Sequence, residues 1–141
     1  MLNYAEIELL LKTRGIYIEN GEKVYPKYGV IFTIVDTKTR AIEGLGRINF
    51  NFPIKRRVDK LPVGFVVVDK AKVIADTKAG LRYTTVISTP FDPWVPGELI
   101  HTDGTSYIST NPNDTTRDNL SGLAMGELTT DEYRRLFGLT L

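Results

Sequence analysis

The spacing of apolar residues along the chain shifts from a helical period to a strand period and back again. In the first stretch Tyr4, Ile7, Leu10 and Leu11 fall at the i, i+3, i+6 and i+7 positions of one helical stripe. Asn3 is placed as an N-cap with Glu6 three residues later, Leu2 can staple onto Ile7, and Gly15 can close the end. The pattern predicts a helix over residues 4–12 whose stripe packs against another surface.

From Ile16 the period falls to two. Ile16-Tyr17-Ile18-Glu19 and Glu22-Lys23-Val24-Tyr25 flank Asn20-Gly21, the dipeptide that best suits a two-residue hairpin. Residues 29–35 are rich in β-branched and aromatic side chains, and Asp36-Thr37-Lys38-Thr39 turns the chain into residues 40–52. There Ile42, Ile48, Phe50 and Phe52 share a parity with Gly44 and Gly46, which signals a bulge or a close backbone approach. Residues 61–75 read as one long or two short strands bent near Asp69-Lys70. Thr77-Lys78-Ala79-Gly80 turns the chain into a strand over 81–89, and Pro90, Pro93 and Pro96 bracket an irregular loop. Residues 99–108 read as a second tight hairpin around Asp103-Gly104, with His101 facing Ser106.

Residues 111–128 begin almost wholly polar and continue small and glycine-containing, the pattern of an extended arm. Leu120, Leu123 and Met125 in it would be awkward left in water, so they mark an assembly surface that a neighbouring copy could cover. Thr129, Glu132, Leu128 and Tyr133 then supply cap, capping-box partner and staple for a helix over 130–137, with Gly138 as its stop. These elements give one domain over 1–141: a helical segment 1–15, a β core 16–110, the arm 111–128 and a C-terminal helical segment 129–141. Short strands joined by tight turns, without helix-strand alternation, point to a mainly β fold, an antiparallel β-sandwich or small β-barrel with one short helix at each terminus.

Composition narrows the chemistry. The chain is 141 residues long, has no cysteine and one histidine, and carries 42% hydrophobic and 25% charged residues, so it can close one core without crosslinks or thiolate metal sites. The first residues are acidic where an export signal would be basic, and the longest apolar run is too short to span a bilayer, which predicts cytoplasmic synthesis and no membrane partner. The net charge of +1 argues against nucleic acid as a general partner. That charge is split: residues 1–72 hold 13 Lys and Arg against 8 Asp and Glu, whereas residues 73–141 hold 5 against 9. Such asymmetry suits head-to-tail contact between copies.

Candidate sites are few. His101, Ser106 and Asp103 could form a hydrolase triad, but no nucleophile elbow or glycine-rich oxyanion loop accompanies them. Asp103, Asp114 and Asp118 with Asn111 and Asn113 could gather around a hard cation, yet they miss the EF-hand spacing, and no metal is expected. Lys55, Arg56 and Arg57, with Lys60, could contact phosphates, although a solvated sheet edge explains them as well. Gly44 and Gly46 are followed by Asn49 where a dinucleotide fingerprint needs its third glycine, so no cofactor is expected. Trp94 with Phe91 could offer an aromatic platform to a glycan or peptide, or could plug one end of the core. With no catalytic constellation, the leading expectation is a non-enzymatic structural or assembly protein. Self-association or other structural proteins would be its partners, and a virion of phage or virus its context. The alternatives are a ligand-binding β module using the Trp94 loop and a small hydrolase using His101.

Overall fold

The structure, a computed structural model, describes residues 1–50, 65–88, 94–110, 120 and 122–137. The protein is mainly β. In chain order the elements are α1 (Tyr4–Thr13), β1 (Tyr17–Glu19), β2 (Glu22–Val24), β3 (Tyr28–Val35), β4 (Ile42–Asn49), β5 (Val66–Asp69), α2 (Lys70–Lys78), β6 (Tyr83–Ile87), β7 (Val95–Leu99), β8 (His101–Thr102), β9 (Ile108–Ser109), β10 (Glu127–Thr129) and α3 (Thr130–Phe137).

The local signals act as the sequence leads one to expect. The Asn3 side chain accepts from Glu6 N at 2.9 Å, and the Ile16 N–H reaches back to Leu11 O to finish α1. Asn20 and Gly21 both have positive φ, 53° and 79°, so Glu19 pairs with Glu22 across a two-residue turn whose twist matches that of the strands. At α3 both arms of the capping box form: Glu132 N donates to Thr129 Oγ1, and Thr129 N donates to Glu132 Oε1. Tyr133 carries α3 into the core.

The main sheet has the order β5-β4-β3-β6-β7, with β10 also on β3. It is mixed rather than antiparallel, because β3 runs parallel to both β6 and β10. Along one edge β3 pairs with β4 over nearly its full length. The other edge is divided: Tyr28–Val30 pair with β6, and Thr33–Val35 pair with β10. Between these halves residues 123–126 slot into the sheet, with Ala124 N donating to Val86 O and Met125 N to Ile31 O, both at 2.8 Å.

For residues 123–128 this insertion replaces the extended arm expected over residues 111–128 with a piece of the chain's own sheet. Residues 111–119 and 121 lie outside the described residues. Leu120 and Leu123, however, pack on one core cluster of the same chain, and Ala124, Met125 and Leu128 pack on the other. Strand alternation places the two clusters on opposite faces of the sheet. β3 feeds both, since an extra residue at Ile31 reverses its parity: Val30 joins the first cluster, and Phe32 and Ile34 join the second.

Two further expectations give way. The strand reading of residues 61–75 holds only for β5 among the described residues, because the Asp69 side chain accepts from Lys72 N at 2.8 Å and starts α2, whose Val73 and Ile74 are buried. α2 is thus a third helix, away from either terminus. The tight hairpin at Asp103-Gly104 is wider than expected: His101 pairs with Ser109 and Thr102 with Ile108, leaving a five-residue loop. Asp103 shapes that loop by accepting from Thr105 N, Ser106 N and Tyr107 N.

A buried polar network fastens α2 to the sheet. Tyr83 Oη donates to Asp76 Oδ2 at 2.7 Å, Arg47 Nη1 reaches both that hydroxyl and that carboxylate, and Lys72 Nζ lies 3.1 Å from Asp76 Oδ1. The Arg47 guanidinium also stacks 3.9 Å above the Tyr28 ring. Burial works to raise the Asp76 carboxyl, but the bonds from Tyr83 and Lys72 and the two cationic neighbours outweigh it and hold the group below its ordinary range.

Gly46 is required by packing rather than by φ. A Cβ there would sit 2.1 Å from Phe32 Cε1, and Phe32 is fully buried with its ring edge-on to Phe65. Gly46→Ala should therefore cost about 1–3 kcal/mol in urea unfolding. A loss below about 0.5 kcal/mol would contradict the ring's placement. Leu123→Ala and Met125→Ala should each cost about 1–3 kcal/mol in a dilute monomer. Unchanged midpoints for both would show that the segment does not pack on its own sheet.

Candidate functional site

The expected site residues scatter. Phe91, Lys55, Arg56 and Arg57 lie outside the described residues. Trp94 is only 7% exposed and packs with Ile31, Phe32 and Val86, which is the position of a core plug and not of a platform. Leu120, Leu123 and Met125 lie against their own chain's cores. Among the described residues no group of three or more His, Asp or Glu side chains is placed to hold a metal ion. No described helix is long and apolar enough to cross a membrane.

His101 is drawn into a cluster that the sequence did not foretell. The β1–β2 hairpin leans on the sheet through Tyr17, whose hydroxyl donates to Gly97 O at 3.0 Å and lies 2.7 Å from Thr84 Oγ1. Burial, together with the nearby Glu98 charge, pushes that phenol up to about 12 against the bond to Thr84, so it stays protonated. Two residues on, Glu19 is gripped by Arg82 in a bidentate pair at 2.8 and 3.0 Å. His101 Nδ1 lies 3.6 Å from Glu19 Oε2 and 3.5 Å from Arg82 Nη2. The Arg82 hydrogen bond holds the Glu19 carboxyl below its ordinary value despite partial burial. Burial lowers the His101 pKa; Glu19 pulls it up and Arg82 pushes it down, and the net direction is down.

Asp103, the acid that the sequence offered to His101, is spent on its own loop, and three backbone N–H donors hold it far below the ordinary range. The imidazole therefore has Glu19 as its carboxylate neighbour, and Arg82 already neutralises that group. Arg82 Nε is buried without a hydrogen-bond partner. An orphaned donor of this kind costs about 1–3 kcal/mol. The cluster borders an open cleft of about 480 Å³ that Tyr17, Glu19, Glu98, Leu99, His101 and Thr110 help to line. Glu19 and Arg82 stand 63 positions apart, and no local pattern pairs them; sequence reasoning had only the lone histidine to follow.

A second surface lies on the far side of Tyr17. Ala5, Glu8, Leu9 and Lys12 of α1 face a cleft of about 370 Å³ against Tyr17, Ile18 and Glu98, and Lys12 forms an ion pair with Glu98. These four positions follow helical spacing and line the cleft from one side of α1, but only Lys12 among them is half-buried and Leu9 is 63% exposed. Of the apolar stripe read from the sequence, Leu11 is half-buried and the other three residues are exposed. Tyr4 is 63% exposed, Ile7 41% and Leu10 49%, and α1 has no buried residue. The surface expected to cover the stripe is thus not supplied to Tyr4, Ile7 and Leu10 by the described residues, since the Lys12–Glu98 pair and the cleft contacts engage another side of the helix.

The depressed His101 sets a pH dependence. A histidine whose folded pKa lies below its ordinary 6.5 binds fewer protons folded than unfolded, so stability is full above that value and falls as pH drops through the folded pKa. Glu19, lowered below its ordinary 4.5, adds a second loss at more acid pH with the same sign. Thermal melts of wild type and His101→Asn should therefore diverge between pH 7 and pH 5, with only the wild type losing stability there. Parallel curves would mean that His101 does not sit in this field.

In comparisons with known protein families, curated proteins and solved structures, the chain matches none.

Proposed function

We propose that the protein is a non-enzymatic structural or assembly component that attaches to its neighbours through the outer face of α1, in a large particle such as a virion. One observation carries the reading: Tyr4, Ile7 and Leu10 form an ordered apolar stripe that the rest of the described chain leaves in water. A ten-residue helix is marginal on its own. α1 is nevertheless capped at both ends and fixed to the domain by the Lys12–Glu98 pair, so it is presented as a formed helix rather than as a frayed terminus. Helices laid by their apolar faces on a partner are a standard recognition mode, read as anchors at the i, i+3 and i+6 or i+7 positions. The same reading takes β8–β9 and α2 as a second layer over one face of the main sheet, a partial sandwich.

The test uses the tagged full chain in the cells it comes from, followed by gradient sedimentation of a gentle lysate. Wild type should run heavier than its 15.8 kDa monomer. Ile7→Glu/Leu10→Glu should run as a monomer with its melting temperature changed by less than about 2 °C, because both side chains are already exposed. Identical profiles for the two proteins, heavy or light, would refute attachment through α1.

A further inference from the structure

We infer that the surface covering α1 is α1 of a second copy, packed antiparallel across a twofold axis near Leu10. This rests on the assembly reading above and adds the partner and its geometry. The helix is charged asymmetrically: Glu6 and Glu8 occupy its first half, and Lys12 and Arg14 stand at its end. A parallel pair would set Glu6 beside Glu6 and Arg14 beside Arg14. An antiparallel pair sets the acidic half of each helix against the basic end of the other and opposes the two helix dipoles.

The spacing fixes the axis. Glu6 and Arg14 are equidistant from Leu10 along the chain, so the arrangement that puts Glu6 opposite the partner's Arg14 brings the two Leu10 side chains together. In this register Ile7 lies opposite the second copy's Thr13, and Tyr4 reaches its Ile16 just beyond α1, so Leu10 carries the centre of the apolar contact. Glu8 and Lys12 line the cleft, and Lys12 is engaged by Glu98, so the Glu6–Arg14 pair sets the direction. Such a contact is isologous: one stripe serves as both partners, and each cross-pair occurs twice. A ten-residue helix is about 15 Å long, which makes the contact smaller than a standard interface of roughly 1,200–2,000 Å² and the dimer weak and reversible.

The chain contains no cysteine, so a single introduced thiol reports on one position. Leu10→Cys in the full chain, oxidised mildly at about 100 µM, should give a disulfide-linked dimer, whereas Tyr25→Cys, at a more exposed position outside α1, should stay monomeric. In sedimentation equilibrium, Glu6→Arg and Arg14→Glu should each weaken dimerisation roughly tenfold, since each turns two attractive pairs repulsive. An equimolar mixture of these two variants should dimerise about as well as wild type, because the heterodimer restores both pairs, one as in wild type and one with its charges exchanged. Melting curves for each variant show whether it is folded, and Arg14→Glu remains a test if Glu6→Arg disturbs the N-cap. Equal crosslinking of Leu10→Cys and Tyr25→Cys, or a mixture no stronger than its components, would overturn the antiparallel pair. If the purified chain stays monomeric while the tagged wild type still sediments as a large particle in an Ile7- and Leu10-dependent way, self-pairing fails and attachment to a different protein stands. If neither occurs, both fall.

Discussion

The fold depends on β3 being buried on both faces and paired along both edges. Its Val30, Ile31, Phe32 and Ile34 are fully buried, so its backbone N–H and C=O groups have no water to turn to. β4 supplies one set of partners. No single strand supplies the other, because β6 leaves β3 after Thr85, and Ile31 O and Thr33 N would be orphaned without Met125 N and Gly126 O. Each unpaired buried group would cost about 1–3 kcal/mol, which makes the 123–129 segment an internal part of the sheet. The position of α3 follows, since Thr129 ends β10 and caps α3 at once.

This constraint explains what could be read from the sequence and what could not. The Asn20-Gly21 hairpin, the Asn3 cap and the Thr129–Glu132 capping box are decided within a few residues, by φ preferences and side-chain reach, and all three form as expected. The parallel pairing of β3 with β6 and β10 joins segments more than 50 and more than 90 positions apart and leaves no periodic mark. Residues 122–126 looked like an arm because their small side chains and glycines suit a loop, and those same properties let them enter a gap between two strands. α2 was hidden for another reason. Ala71, Val73, Ile74 and Ala75 are as apolar as a strand, and Asp69, which looked like a bend, is the N-cap.

The candidate site was less legible than the fold. A lone histidine marks itself, but its neighbours arrive from β1 and from the start of β6, and only the sheet brings them within 4 Å. The two ion clusters differ in how their charged groups are met. In the Arg47–Asp76–Tyr83 network the Asp76 carboxylate is met by hydroxyl, guanidinium and ammonium at once, as befits a fastening between helix and sheet. The Glu19–Arg82–His101 cluster ties β1 to the residue before β6 by a bidentate pair, leaves Arg82 Nε unpaired and borders an open cleft.

α1 and α3 make the last comparison, because they carry the same local signals to opposite outcomes. Both are short, both begin at a side-chain cap with a glutamate three residues on, and both carry an aromatic residue in the first turns. Tyr133 is buried in the second core cluster, while Tyr4 stands in water. Capping chemistry sets where a helix starts and stops; it does not set what covers its apolar side. α3 is covered because β10 must lie on β3 and brings the helix with it. α1 is tied to the sheet only through the β1–β2 hairpin and the cleft-lining row of Ala5, Glu8, Leu9 and Lys12, so nothing in the main sheet forces its whole stripe inward. Within the stripe, Leu11 is half-buried near the end of the helix, while Tyr4, Ile7 and Leu10 stay exposed, because the contacts of α1 with β1 and β7 gather toward its C-terminal turn.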